Sequence, residues 1–525
     1  MTRVIVIGAG HNGLVGAVHM AAAGLDTEVL ERAPRPGGAT TSSARTLPGF
    51  VHDDHAAFLP MTVASPAMRE LTLEREGLTW IDAPTVMAHP FEDGTAIALH
   101  RDVAATVASL GPAGAGWSRA MEQLLPRAST LVEAILAPLP PVRAPLALAA
   151  ALRADTVDWA RRMLGSVEAL GLDVFDGDRR ATAWLSGSAQ HSGLPPSTAG
   201  SGAFGLLLQV LAHSHGWPVP RGGAQAVVEA LVARAAREGA RLRCGAAVER
   251  VLTRGGRVAG VRLAGGEELA ADAVISTVSA RPLSRLLEPG TLPGRLERRL
   301  RTWRYGTGAF KLDYALSGPV PWTASEPRAA GVVHVAGSLR ELSAAAQAGA
   351  RGDVPERPAL VVGQQSLLDP GRAPRGAHTL YVYAHVPSRY GLDDDEVAER
   401  LEAQLERFAP GFRSLVLARA RRAPWETELE NPSMVGGDLG GGAMELDQQL
   451  IFRPSPALSR HRTPVRGLYV AGASVHPGGA VHGMSGRGAA RALLRDRRLR
   501  PWRAGAGAGQ RVASSSRRRS DSALR

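Results

Sequence analysis

An α/β fold organised round a dinucleotide-binding, Rossmann-like unit is predicted by three observations. The strand-like run Val4-Ile5-Val6-Ile7 enters the string Gly8-Ala9-Gly10-His11-Asn12-Gly13; a second apolar run, Thr27 to Leu30, ends in Glu31; and a second glycine-rich string, Gly472 to Gly486, lies near the far end of the chain. In the first string each glycine has its own task. Gly8 permits the tight turn, Gly10 lets backbone amides approach a pyrophosphate, and Gly13 lets the following helix lie close to the strand. That helix is expected over Leu14 to Ala23, with Gly24 as its C-cap, and its N-terminus offers free N–H groups to phosphate. Glu31, at the tip of the second strand, can accept from both hydroxyls of an adenosine ribose. By contrast, the string Gly505 to Gly509 has no strand before it and reads as low-complexity tail.

Beyond Glu31 the sequence favours FAD over NAD. Arg32-Ala33-Pro34-Arg35-Pro36-Gly37-Gly38-Ala39 places a glycine pair and an expected new helix start just past the ribose acid. A flavin must then continue along another stretch of chain, and the C-terminal string supplies one. Arg466 to Ala473 reads as a turn and a buried strand, and Ser474 to Ala490 as a glycine-rich loop opening a helix. Its candidate cofactor-binding residues are Gly472, Ala473, Gly479, Val481, His482 and Met484. A helix N-terminus at the flavin pyrimidine edge would stabilise the charge of reduced flavin. The middle string Pro220-Arg221-Gly222-Gly223 leads into an amphipathic helix, Ala224 to Glu238, and then into strands containing Val248 and Val274-Ile275-Ser276.

These three blocks, with Asn431-Pro432-Ser433-Met434-Val435-Gly436-Gly437-Asp438 and the string from His476 to Gly486, resemble the phytoene dehydrogenase-like FAD-dependent oxidoreductases. The similarity spans roughly residues 1 to 494 and is strongest to the branch containing pyridine nucleotide-disulphide oxidoreductase domain-containing protein 2. It implies a fold of the glutathione reductase/amine oxidase type, an FAD-binding Rossmann-like domain with a discontinuous α+β substrate domain. Residues 1–62, 215–290 and 450–494 would form the FAD domain, residues 63–214 and 291–449 the substrate domain, and 495–525 a disordered basic tail. The resemblance further implies a residue at Val248 beside the adenine, and hydride transfer between flavin N5 and a carbon of an apolar substrate, polyenes foremost. Two other readings fit the same blocks: a redox-neutral flavin-dependent double-bond isomerase and a non-catalytic flavin-binding regulatory protein.

Composition narrows the partners. The chain of 525 residues is 45% hydrophobic and 21% charged, ordinary for a globular protein. Of the net +12, the stretch 495–525 supplies +8, with ten arginines against two aspartates, so the excess is a tail property and indicates no specific nucleic acid. A single cysteine, Cys244, excludes an intramolecular disulfide or dithiol pair and is expected as a buried strand residue. The first strand begins at once, no uninterrupted apolar stretch is long enough to span a bilayer, and a cytoplasmic protein is expected, with Leu131 to Leu152 a candidate for contact with a membrane surface. A second dinucleotide fold is not visible, so the electron acceptor would be oxygen, a quinone or another protein. Within the substrate part, a hairpin is expected over Val86 to His100, turning at Glu92-Asp93-Gly94, and a helix over Ala115 to Ile135.

For catalysis the candidates are few. Lys311 is the only lysine among 61 basic Lys and Arg residues. Its setting, Tyr305 to Tyr314, is similar to the strand of monoamine oxidase-like flavoenzymes whose lysine reaches flavin N5 through water, which implies the same place here; an exposed strand edge is the alternative. His52 and His55 follow Gly49-Phe50-Val51, where the resemblance places a segment near the flavin. No pair of histidines has metal-ligand spacing, so no metal is expected.

Overall fold

The computed structural model describes residues 2–499. Five strands, Arg3–Ile7, Asp26–Leu30, Arg241–Arg243, Ala273–Ser276 and Leu468–Val470, form one wholly parallel sheet, although they come from three distant parts of the chain. The order runs 468–470, 273–276, 3–7, 26–30, 241–243, with Arg3–Ile7 at the centre. Its alternation fixes both layers. Val4 and Val6 turn towards the core beneath helices His11–Ala22, Gln225–Arg237 and Met484–Leu499, whereas Ile5 and Ile7 turn to the opposite core with Val251, Val261, Leu296 and Leu300. The opposite face is covered by an antiparallel three-stranded sheet, Val248–Arg254, Arg257–Leu263 and Glu268–Ala270, together with helix Gly294–Arg301, so the parallel sheet is buried on both faces.

A second sheet of seven strands is mixed, in the order Val416–Arg422, Gly308–Leu316, His378–Val386, Leu360–Gly363, Ala330–Val335, Thr85–Pro90, Ala96–His100. One face packs through Phe310, Leu312, Leu380, Val382 and Val333 on helix Asp394–Phe408. The other carries Lys311, Asp313, Tyr381, Tyr383, Val361 and His334 towards a helical layer that includes Gly114–Leu124, Arg179–Ala189 and Ser201–His215.

Several expectations hold, and several are corrected. The hairpin forms with Asp93 Oδ1 accepting the Thr95 N–H and Gly94 at φ +79°. The helix expected over Ala115 to Ile135 is instead two, Gly114–Leu124 and Ala128–Ile135, because Pro126 interrupts the hydrogen-bond ladder. No helix starts at Gly37-Gly38. Both glycines have positive φ, +142° and +59°, and Gly37 bridges to Gly10. Cys244 lies just beyond the strand Arg241–Arg243 and is half-buried, since that strand is the sheet edge. The helix from Met484 continues through residues 495–499, expected in the tail, because Arg462 and the Tyr469 hydroxyl anchor Asp496. The rest of the tail, with Gly505 to Gly509, lies outside the described residues.

Candidate active site

The parallel sheet ends in a turn that only glycine can make. Gly8 sits at φ +95°, and a Cβ on Gly13 would lie 1.9 Å from Gly8 O. A Cβ on Gly486, in the C-terminal helix, would lie 1.9 Å from Asn12 O, so the first and last helices of the fold touch backbone to backbone. Glu31 is held by two amides: Oε2 accepts from Ala9 N–H at 2.7 Å and Oε1 from Ala33 N–H at 2.9 Å. Each oxygen keeps a lone pair for a ligand.

From this turn a cavity of about 1370 Å³ opens. Gly8, Gly10, His11, Asn12 and Gly13 line it, as do Glu31, Arg32, Gly38, Ala39 and Val248. So do Gly472, Ala473, Gly479, Val481 and His482 from the other end of the chain, and His55. Gly37, Met484, His52 and Lys311 are not among the lining residues. Gly37 acts behind the wall through its bridge to Gly10. Met484 opens the C-terminal helix, donates its N–H to His482 Nδ1 at 3.1 Å, and packs with Ala64, Val132, Leu136 and Leu211.

Lys311 and His52 belong to a buried charge network behind the cavity wall. Lys311 Nζ donates to both oxygens of Asp313 and lies 4.4 Å from the centre of the Tyr381 ring, which does line the cavity. His52 Nδ1 is 3.7 Å from Asp313 Oδ1, and its Nε2 pairs with Thr46 Oγ1 at 2.7 Å. Burial pushes the Lys311 ammonium pKa down while Asp313 pulls it back, and burial likewise lowers His52. Alongside, the Asp54 carboxyl is opposed by burial but held well below the usual range by Arg45 and Ser43. Arg422 donates to the Asp54 carbonyl at 2.7 Å, and burial with Arg422 pushes His55 far down. These ions fix the segment His52 to His55 on the sheet, and Tyr381 donates to the His55 carbonyl at 2.6 Å.

Residues that the sequence reading passed over complete the site. Arg453, wholly buried, donates to Gly440 O at 2.6 Å and Ala473 O at 3.0 Å, clamping the loop around Asp438 to the C-terminal string. Burial lowers its pKa to about 10. Past this clamp the cavity becomes apolar, with Leu131, Ile135, Leu148, Met163, Phe204 and Leu207 on its walls. Tyr381, Tyr383, His191 and Trp217 line it against the seven-stranded sheet. The alternation Tyr381-Val382-Tyr383 already signalled two rings on one face.

Residues 13–494 match the model of the flavin containing amine oxidoreductases. The chain belongs to that family. This flavin-containing oxidoreductase is 29% identical to pyridine nucleotide-disulfide oxidoreductase domain-containing protein 2 of Rattus norvegicus, over 94% of this chain and 93% of that one. It is 28% identical to a zeta-carotene-forming phytoene desaturase of Myxococcus xanthus, over 91% and 90%. A solved structure of putrescine oxidase with putrescine bound shares the fold, with a TM-score of 0.60 at 16% identity over 95% of this chain and 99% of that one. The protein is an FAD-dependent oxidoreductase of α/β fold. Its glycine turn fits the cofactor, because the positions where a Cβ would strike backbone, Gly13 and Gly486, close the helix N-termini round the lining of the cavity.

Proposed function

We propose that this oxidoreductase takes a hydride from a carbon centre of an elongated, apolar substrate. One observation carries the reading: the cavity continues from the dinucleotide turn into an apolar arm, and its about 1370 Å³ exceeds the roughly 300–1,000 Å³ usual for a single ligand. The adenosine end would rest on Glu31 and Val248, the pyrophosphate on Gly8 to Gly13 and the amides near Gly38, and the flavin against Gly472 to His482. The flavin supplies the redox chemistry when bound; the chain holds it, orients the substrate and excludes water. The division into an FAD domain (1–62, 215–290, 450–494) and a substrate domain (63–214, 291–449) follows the two sheets. The phytoene desaturase among the relatives supports a polyene.

The apolar arm also suggests how such a substrate arrives. Pro141, Pro145, Leu164, Leu446 and Leu450 line the cavity, and beside them Leu146, Val157 and Phe452 are exposed by 64%, 75% and 47%. An exposed apolar rim at a tunnel, with Arg143, Arg153 and Arg161 exposed among it, fits docking on an anionic lipid surface. Among the described residues no helix is long and apolar enough to cross a membrane. Electrons would pass on to oxygen, a quinone or another protein.

Anaerobic mixing of the FAD-loaded enzyme with polyenes, retinoids and amines tests the reading. Bleaching of the flavin by a polyene supports it, and a product lighter by two hydrogens separates dehydrogenation from isomerisation. Bleaching by amines alone overturns it.

A further inference from the structure

The cavity-facing side of the seven-stranded sheet carries a file of uncharged polar rings that the flavin site does not use. The Tyr383 hydroxyl, on strand His378–Val386, lies 3.1 Å from His191 Nδ1. His191 comes from the turn Gln190–Ser192, and its Nε2 lies 3.0 Å from Nε2 of His334 on strand Ala330–Val335. Tyr383 and His191 line the cavity, whereas His334 is wholly buried behind them. At the inner end His334 Nδ1 and His89 Nδ1 are both buried and unpartnered. They face one spot: a methyl on Gly187 would sit 3.1 Å from the first and 3.0 Å from the second. Because His89 Nε2 must donate to the Gly337 carbonyl, 2.7 Å away, His89 Nδ1 is a bare acceptor.

We propose that Tyr383, His191 and His334 form a proton relay from the cavity wall to the buried His334, and that Tyr383 and His191 are catalytic residues. The proposal rests on the reading of the cavity as a site of carbon–carbon dehydrogenation. In that reaction two C–H bonds break and a C=C bond forms. One hydrogen leaves with its electron pair to the bound flavin, and the other must leave as a proton. Two neutral arrangements of the file are possible. In the first, Tyr383 O–H donates to His191 Nδ1, His191 Nε2–H donates to His334 Nε2, and His334 Nδ1 carries a proton. In the second, the protons are on His191 Nδ1 and His334 Nε2. From the first, when Tyr383 Oη takes the substrate proton, Tyr383 passes its own proton to His191 Nδ1 and His191 passes its Nε2 proton to His334 Nε2, where the proton stays. The file is left with protons on His191 Nδ1 and on both nitrogens of His334, so the positive charge sits one ring behind the cavity wall, with the bare acceptor His89 Nδ1 on the same side.

The surroundings suit neutral rings. The titratable groups acting on His191 and His334 are the histidines His385, His89 and each other; Arg180 acts on His89. Burial lowers His191 to about 3 and His89 to about 4, so both are neutral near pH 7. A weak base is sufficient, because a hydrogen beside a developing carbocation is strongly acidic.

Long-range proton–nitrogen spectra of the FAD-loaded enzyme, with histidine labelled in heavy nitrogen, test the relay without any substrate. Both rings should stay neutral between about pH 6 and 8 and hold opposite tautomers, since one Nε2 must donate to the other. Tyr383→Phe should leave His191 Nδ1 bare and fix the first arrangement alone. Equal tautomers, ionisation of either ring in that range, or a proton on His191 Nδ1 in Tyr383→Phe would overturn it. With the polyene that bleaches the flavin fastest as probe, Tyr383→Phe and His191→Phe should slow bleaching about 10²-fold while changing substrate affinity little. Wild-type bleaching rates in both would also overturn it. If no polyene bleaches the flavin, the functional reading fails, while the spectra still decide whether the relay exists.

Discussion

Replacing Lys311 by Met separates a lysine that serves the flavin from one that balances buried charge. Both Asp313 oxygens accept from Lys311 Nζ, and Lys311 and Asp313 are 4% and 2% exposed. Without the ammonium, the ion-pair partner left to Asp313 among the described residues would be His52, 3.7 Å away and itself driven towards neutrality by burial. Stranding one partner of a buried pair costs about 3–5 kcal/mol, whereas exchanging both partners for apolar residues is often neutral. Lys311→Met should therefore lower the melting temperature markedly, and Lys311→Met with Asp313→Leu should recover most of the loss. Because Lys311 stands off the cavity wall, the double variant should retain flavin reduction and reoxidation rates within about threefold. Differential scanning calorimetry and stopped-flow absorbance read the two effects separately. A single variant of unchanged stability but slowed flavin chemistry would refute this account and return Lys311 to the flavin edge.

Other consequences are equally direct. Gly13→Ala, whose methyl would meet Gly8 O, should weaken FAD binding at least about tenfold in a titration of apoprotein, while Gly24→Ala, with open space round its Cβ, should cost only about 1 kcal/mol of backbone strain and bind FAD normally. Equal affinity in both would show that the turn does not hold the cofactor. The buried neutral histidines His89, His191 and His461, lowered to about 4, 3 and 4, make stability acid-sensitive. The unfolded chain takes up their protons as pH falls below about 6.5, and the folded chain does so only near those lower values. Stability is thus complete above that point and falls by about 2 kcal/mol per histidine between about pH 7 and 5. A melting temperature flat across this window would contradict it. Leu146→Asp with Phe452→Asp should reduce co-flotation with anionic phosphatidylserine vesicles without altering FAD content, and unchanged flotation would remove the rim from any membrane role.

The nucleotide end of the molecule was legible because its constraints are local. Gly8 to Gly13 and Glu31 lie within one strand–turn–helix–strand unit, and the hairpin at Asp93-Gly94 is set by a single turn. Pro126 is a local helix break too, but the helical apolar spacing on either side of it masked the break, so one helix was expected where two form. Gly37-Gly38 looked like a helix start but serves two positive-φ positions that bring Gly37 to Gly10. Lys311 illustrates a different limit. Its spacing from Asp313 puts both on one strand face, yet only tertiary burial decides that the carboxylate captures the ammonium. The relay was beyond any local pattern, since His191 lies 143 residues from His334 and 192 from Tyr383. Arg453 was hidden likewise, because its partners are backbone carbonyls of two other loops.

The central claim, that this flavoenzyme dehydrogenates an apolar carbon chain in the arm beyond the flavin, is met most directly by anaerobic single turnover. FAD-loaded enzyme is mixed with a polyene presented in lipid vesicles, and flavin absorbance is followed while the product is weighed by mass spectrometry. Bleaching of one flavin per product lighter by two hydrogens is the predicted result. An unbleached flavin across the polyene panel, or a product of unchanged mass, would contradict it.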